Sequence, residues 1–366
     1  MELNFKLRVK DAIPLCYLNA EELLISIRNR LFIYNLESNN KKHLLDLPAS
    51  PLNKLLSSFK LTSRVLRLGV RYAIPITEDE VLLVFNNQFY EVNVRKGIAR
   101  ESFKLERGNR PLNIATIRGL EGFADMICFG EYFYNPDKKP IHVYQRIAGT
   151  SEWKIVYTFV EGEIDHVHAL VPDHFRSCIW ILTGDLGCGA AIWKAENNFE
   201  KVSLVKGGEQ IFRSCNAFPT EEGLVYATDS EFETNTIRIL KEVNGDWESQ
   251  KICEINGPAI YGCQVNDLIF FSTSVEGNSV PKGKIMMYFD RQPALGVKDN
   301  YSHIVGGNIK KGFSILDKNE KDIYPFVLFQ FGAVTFPTGT NLSNKLVSYN
   351  RSLKRNGFDM EIFNIN

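Results

Sequence analysis

His166 and His168 stand two residues apart in the run HVHALV. If that run is a β-strand, alternation sends both imidazoles to the same face. Such a pair can hold a divalent metal through neutral ring nitrogens, with Asp185 or Gln210 as a further ligand. Alternatively one ring serves as a general base, or both simply bond water and neighbouring loops. Three carboxylates, Glu131, Asp185 and Asp229, follow the apolar runs ICFG, ILTG and VYAT. Two carboxylates flanking a glycosidic bond at roughly 5 to 9 Å suit acid/base or nucleophilic chemistry. A carboxylate after a strand also caps the next turn through backbone N–H groups, so each residue has a structural reading beside the catalytic one. Arg213 needs an anionic partner, either one of these carboxylates or an acidic group on a ligand. Tyr261 is a candidate acid, and Gln210, Tyr132 and Glu276 complete the polar set as candidate substrate contacts.

These residues must be placed by a repeating scaffold. Short β-rich runs fill the chain (EVLLVF, QFYEVNV, IHVYQRI, WKIVYTF, IWILT, AAIWKA and others), bounded by Gly, Asn, Asp or Pro. A polar residue recurs where one run type stops: Asn29, Asn86, Glu131, Asp185, Asp229, Ser274 and Thr338. A spacing of roughly 45 to 65 residues with about four strands per unit is the mark of propeller blades. The sequence therefore predicts an all-β, seven-bladed β-propeller, with six or eight blades as the alternatives, as a single domain over residues 1–366. Blade four reads as HVHALV, IWILT, AAIWKA and FEKVSLV. In blade six the third strand is open between KIMMYF and SHIVGGN, and the N-terminal NFKLRV closes the ring by joining the last blade. The starts of the innermost strands form a second polar and aromatic series, Tyr72, Asn113, His166, Gln210, Tyr261 and Tyr324. Both series are expected at one mouth of the ring.

One segment breaks the pattern. LNKLLSSFKLTSRVLRL, residues 52–68, spaces its apolar residues at three and four and reads as an amphipathic helix inserted between blades one and two. It caps the ring or, being basic, offers a peripheral membrane or protein contact.

The remaining features exclude more than they assign. The chain has 366 residues with 43 Lys+Arg against 43 Asp+Glu, which argues against a basic nucleic-acid-binding surface. No run approaches the length of a membrane span and no secretory signal opens the chain, so a cytoplasmic location is expected. Seven scattered cysteines without a CxxC pair point to reduced thiols. No nucleotide-binding, nucleophile-elbow or HExxH motif is present.

In YQRIAGTSEWKIV, WKAENNFEKV and LKEVNGDWESQ the turn-then-aromatic outline, with Trp153, Phe199 and Trp247 in the aromatic place, resembles the sialidase-like, Asp-box (BNR-type) propellers. Arg71-Tyr72-Ala73-Ile74-Pro75 is loosely similar to that family's Arg-Ile-Pro segment. A second, weaker resemblance is to propeller polysaccharide lyases, which implies that His166, His168, Tyr261 and Arg213 act on a uronate, with a His-bound metal as an option. The resemblances imply a glycoside hydrolase acting on an anionic glycan or oligosaccharide in the mouth, with Asp185 and Asp229 or Glu131 as the acid/base pair. The alternatives are a lyase, with His166 as base and Tyr261 as acid, or a non-catalytic glycan- or protein-binding propeller.

Overall fold

The computed structural model describes residues 1–278 and 286–366. Seven antiparallel sheets form the ring, six of them four-stranded and one five-stranded. In each of the first five blades the strands follow one another from the axis outward in chain order. Blade four runs His166–Asp173, Cys178–Gly184, Ala191–Glu196 and Lys201–Gly207. Its second strand is buried at every position, and period-two alternation divides its side chains between two neighbours. Ile179 and Ile181 pack with Cys128 and Val143 of blade three, whereas Trp180 and Leu182 pack with Ala217 and Tyr226 of blade five. Each interface between blades is thus a hydrophobic core made from opposite faces of adjacent sheets.

The ring closes as the N-terminal run requires. Leu3–Val9 pairs with Met360–Ile365 and becomes the outermost strand of blade seven. Blade seven departs from the expected register at its start. The first strand that its own stretch of chain supplies is Gly332–Thr335 and the second is Lys345–Arg351. Thr338 is therefore past that first strand, bridged to Cys16, and Tyr324 precedes the short helix Phe326–Phe329 instead of opening a strand. The residue that ends the second strand of this blade is Arg351. Ser274–Val275 leaves blade six to pair beside Gly332 and Ala333, which makes this sheet five-stranded. The third strand of blade six is Tyr301–Asn308, the SHIVGGN alternative. KIMMYF lies partly outside the described residues, and its Met286–Phe289 portion is a 3-10 turn.

The segment expected as one helix is two, α1 (Pro51–Leu56) and α2 (Lys60–Val65). Ser50 caps α1 by accepting from the Asn53 amide at 3.1 Å. The break between them follows from competing hydroxyls: Ser57 and Ser58 donate to the Lys54 carbonyl, at 2.9 and 3.1 Å, and bend the chain locally. Helices this short cannot bury a stripe, and Leu52, Leu55 and Phe59 stay exposed. Arg64 anchors the pair instead. It ion-pairs with Asp322 at 2.8 Å, donates to the Phe329 carbonyl and lies over the rings of Tyr324, Phe329 and Phe358. Among the described residues no helix is long and apolar enough to cross a membrane.

The three aromatics of the turn-like boxes are structural. Trp153 packs against Phe89, Phe103 and Phe129, Phe199 against Phe123, and Trp247 edge-on against Trp180.

Candidate functional site

His166 opens the innermost strand of blade four opposite Gly184, and the pairing skips His168. This bulge turns the second ring toward the first. The two Nε2 atoms come within 3.0 Å. His166 Nδ1 lies 3.2 Å from the Phe133 carbonyl and His168 Nδ1 lies 2.9 Å from the Ser214 carbonyl. A carbonyl only accepts, so each Nδ1 carries a hydrogen and each neutral ring presents a lone pair at Nε2. Both rings are buried. A Cβ at Gly184 would overlap the His168 ring, so the backbone there is bare for the imidazole to lie on.

Asp185 directly follows the second strand of the same blade, Cys178–Gly184, and completes the group. Its Oδ1 is 3.5 Å from His166 Nε2, 3.3 Å from His168 Nε2 and 3.2 Å from Arg213 Nη2. Burial works to raise this carboxyl, but the two imidazoles and the guanidinium outweigh it and hold it well below the usual carboxylate range. The turn that carries Asp185 is fixed by Asp165, whose Oδ2 accepts the Asp185 amide at 2.8 Å. It is fixed again by Gln210, whose Nε2 donates to the Asp185 carbonyl at 2.9 Å while its Oε1 accepts from Ser230. Gln210 is thereby committed at both ends as a clamp between blades four and five.

Arg213 joins two carboxylates. Beyond Asp185 its Nε lies 3.8 Å from Asp229 Oδ2, so its partner is internal. Burial alone would lower the guanidinium; Asp229 and Asp185 keep it charged. Asp229 is pushed up by burial, with Arg213 offsetting part of the rise. Its Oδ2 is 3.1 Å from Cys215 Sγ, and burial and that carboxylate push the thiol up, away from nucleophilic reactivity. Arg213 Nε and Nη1 and Asp229 Oδ1 are buried without a hydrogen-bond partner among the described residues. Glu276 accepts from Ser274 Oγ at 2.6 Å and is pushed up to about 8 by burial and then by the Asp229 charge. Tyr132 packs edge-on to His166 at 4.5 Å between ring centroids.

Two expected members are drawn elsewhere. Glu131 is gripped by Arg107 and accepts the His142 amide at 2.8 Å; its carboxylate serves blade three. Tyr261 opens blade six at the same mouth, where its hydroxyl accepts from Arg351 Nη1 at 3.0 Å. Together with Asn216, Arg71 and Arg110 it lines a cavity that also reaches Cys215. Arg110, Arg351, Asp165 and Cys215 were not singled out from the sequence. Arg351 had a signal, since it ends the second strand of blade seven near the place where Asp185 follows that of blade four; Arg110 and Asp165 lie in connections without periodicity, and Cys215, in the strand Ser214–Thr220, reads as one more buried thiol.

His166, His168 and Asp185 offer three ligand atoms within 4.8 Å of one another. Two neutral imidazoles whose outer nitrogens are fixed by carbonyls, plus a carboxylate, suit a divalent transition metal. All seven cysteines are free thiols.

No protein-family model matches the sequence, and no curated protein sequence matches it. Solved structures do. Oligogalacturonate lyase from Vibrio parahaemolyticus superposes at a TM-score of 0.53 and 11% identity, over 100% of this chain and 98% of that one. An oligogalacturonate lyase in complex with manganese gives 0.54 and 8%, over 100% and 97%. The AfRom2 CNH domain gives 0.53 and 8%, over 100% and 98%. At these identities the likeness is one of fold. The chain is a seven-bladed β-propeller with a histidine–carboxylate–arginine cluster at its mouth.

Proposed function

We propose that the protein is a carbohydrate-active enzyme that binds an anionic oligosaccharide at this mouth and cleaves it by β-elimination, with a divalent cation held by His166, His168 and Asp185. The observation that supports it most is the meeting of two Nε2 lone pairs and a carboxylate oxygen, three acceptors that need a cation or a shared proton between them. A metal there supplies Lewis-acid polarisation of a substrate oxygen. The chain supplies the rest. Arg213 helps to keep Asp185 ionised and carries unpaired N–H donors for a substrate oxygen, and Tyr132 walls the imidazoles. Asp229, whose Oδ1 has no partner among the described residues and whose basicity burial raises, takes the proton α to the substrate carboxylate; the double bond forms as the bond to the β-oxygen breaks, and the Tyr261 hydroxyl, held by Arg351, gives its proton to that leaving oxygen. Elimination is preferred to hydrolysis because Asp185 and Glu131 are already engaged, leaving no free carboxylate pair to flank a glycosidic bond. The shared fold with two oligogalacturonate lyase structures, one in complex with manganese, agrees with this reading.

Hydrolysis is the second reading, favoured by one observation: Asp229 and Asp185 are pushed in opposite directions, as an acid and a base would be. Incubation of the manganese-loaded protein with oligogalacturonate separates the two. An unsaturated product absorbing in the ultraviolet is expected; new reducing ends without that absorbance would establish hydrolysis. Binding without either product would leave a glycan-binding propeller.

A further inference from the structure

We propose that Arg71, Arg110 and Arg351 form a binding site for a phosphomonoester group, separate from the histidine cluster. Arg71 lies in the innermost strand of blade two, Val70–Pro75. Arg110 lies in the connection between Ile98–Lys104 and Ala115–Ile117, and Arg351 ends Lys345–Arg351 in blade seven. Topology brings all three to one mouth, where two adjoining cavities of about 180 and 130 Å³ are each lined by all three.

Their charges are uncompensated. Arg64, Arg107, Arg146, Arg176 and Arg213 each face a carboxylate. Among the described residues Arg71, Arg110 and Arg351 have none within ion-pair distance. Arg71 Nη1 donates only to the Arg67 carbonyl at 3.0 Å, and Arg351 donates to Tyr261 and lies over its ring. Asp11 also lines the larger cavity but is paired with Lys60 at 2.8 Å. The mutual repulsion is felt: burial, and then Arg110 and Arg351, lower Arg71 to about 9. Three like charges gathered in a partly dry pocket are a standing cost that an anion removes.

The charge and donor count select the anion. A carboxylate brings one charge and two oxygens, which a single guanidinium fork satisfies. A phosphomonoester brings a charge of about −1.5 to −2 at neutral pH and three acceptor oxygens, one for each guanidinium. The site shares Arg351 with the glycan reading, in which that residue holds Tyr261, but inorganic phosphate alone tests it without a glycan.

Isothermal titration of the full chain at constant ionic strength is the test, with inorganic phosphate, glucose 1-phosphate and acetate as probes. One saturable phosphate per chain is expected, with glucose 1-phosphate competing for it and acetate failing to bind. Arg110→Met and Arg351→Met should each weaken phosphate by about tenfold or more, while His166→Ala leaves it unchanged. Arg110→Lys, which keeps the charge and loses the fork, should fall between and covers the case of an unfolded methionine variant. Absence of saturable phosphate binding, equal binding of acetate, no competition by the ester, or full affinity in Arg110→Met and Arg110→Lys would overturn the proposal.

Discussion

His166 Nε2 and His168 Nε2 face each other at 3.0 Å while both Nδ1 atoms are committed to backbone carbonyls. Two neutral rings so held cannot hydrogen-bond to one another. The contact is stable only with a positive charge between them, which Asp185 at 3.3 Å from His168 is placed to balance. This one relationship distinguishes the cluster from a pair of ordinary core histidines.

Metal analysis follows directly. Purified protein should carry about one divalent ion per chain, and His166→Ala or His168→Ala should lose it. Chelation should lower the melting temperature, since saturation at a hundred times Kd stabilises by about 2.7 kcal/mol. Elemental analysis and thermal melts with and without chelator check this; a metal content equal to that of the wild type in both variants would refute the assignment.

Gly184→Ala probes the bare backbone under His168. The added methyl has to displace the imidazole, so stability should fall by about 1–3 kcal/mol and metal content should fall with it. Urea denaturation and metal titration report the two effects. A variant of wild-type stability that retains its metal would show that the ring is free to move.

Glu276 gives the protein a pH dependence of definite sign. Its ordinary value is 4.5 and in the fold it stands at about 8. Below the first value the group is protonated in both states. Between the two, the unfolded chain ionises while the folded chain keeps its proton, so stability falls as pH rises; above the second the effect is constant. Glu276→Gln should therefore gain about 1–3 kcal/mol relative to wild type at pH 8 and little at pH 4.5. Denaturant midpoints at the two pH values decide it, and an equal difference at both would remove Glu276 as the source.

Arg64→Met should release the helical insert. Removing one member of a buried ion pair costs about 3–5 kcal/mol, and here the three ring contacts are lost as well. Limited proteolysis should cut the variant between residues 50 and 68 well before the wild type. Equal protection of the two proteins would mean that the insert is held by other contacts.

Alternating apolar runs that recur at a near-constant spacing made the blades legible, because a propeller is one local unit repeated and each strand's burial is written in its own residues. The same regularity identified Asp185 and His166 as mouth residues, since the end of a second strand and the start of a first strand are fixed positions in every blade. Closure by the N-terminal strand was readable for a similar reason: the last blade lacks a strand and the first run has no other partner. Blade seven was misregistered at Tyr324 and Thr338 because the long crossing from blade six carries no period. The helical insert kept its apolar spacing without the burial that spacing implies, because a charged residue, Arg64, does the anchoring.

What the tertiary structure alone decided is pairing. Asp185, Asp229 and Glu131 look alike in sequence, each a carboxylate after an apolar strand. Arg107 captures Glu131, the histidines and Arg213 engage Asp185, and burial beside Cys215 raises Asp229. Arg71, Arg110 and Arg351 are separated by up to most of the chain and become neighbours only when the ring closes. Charge state and partner depend on distances of a few ångströms across different blades, and no pattern within one strand encodes them.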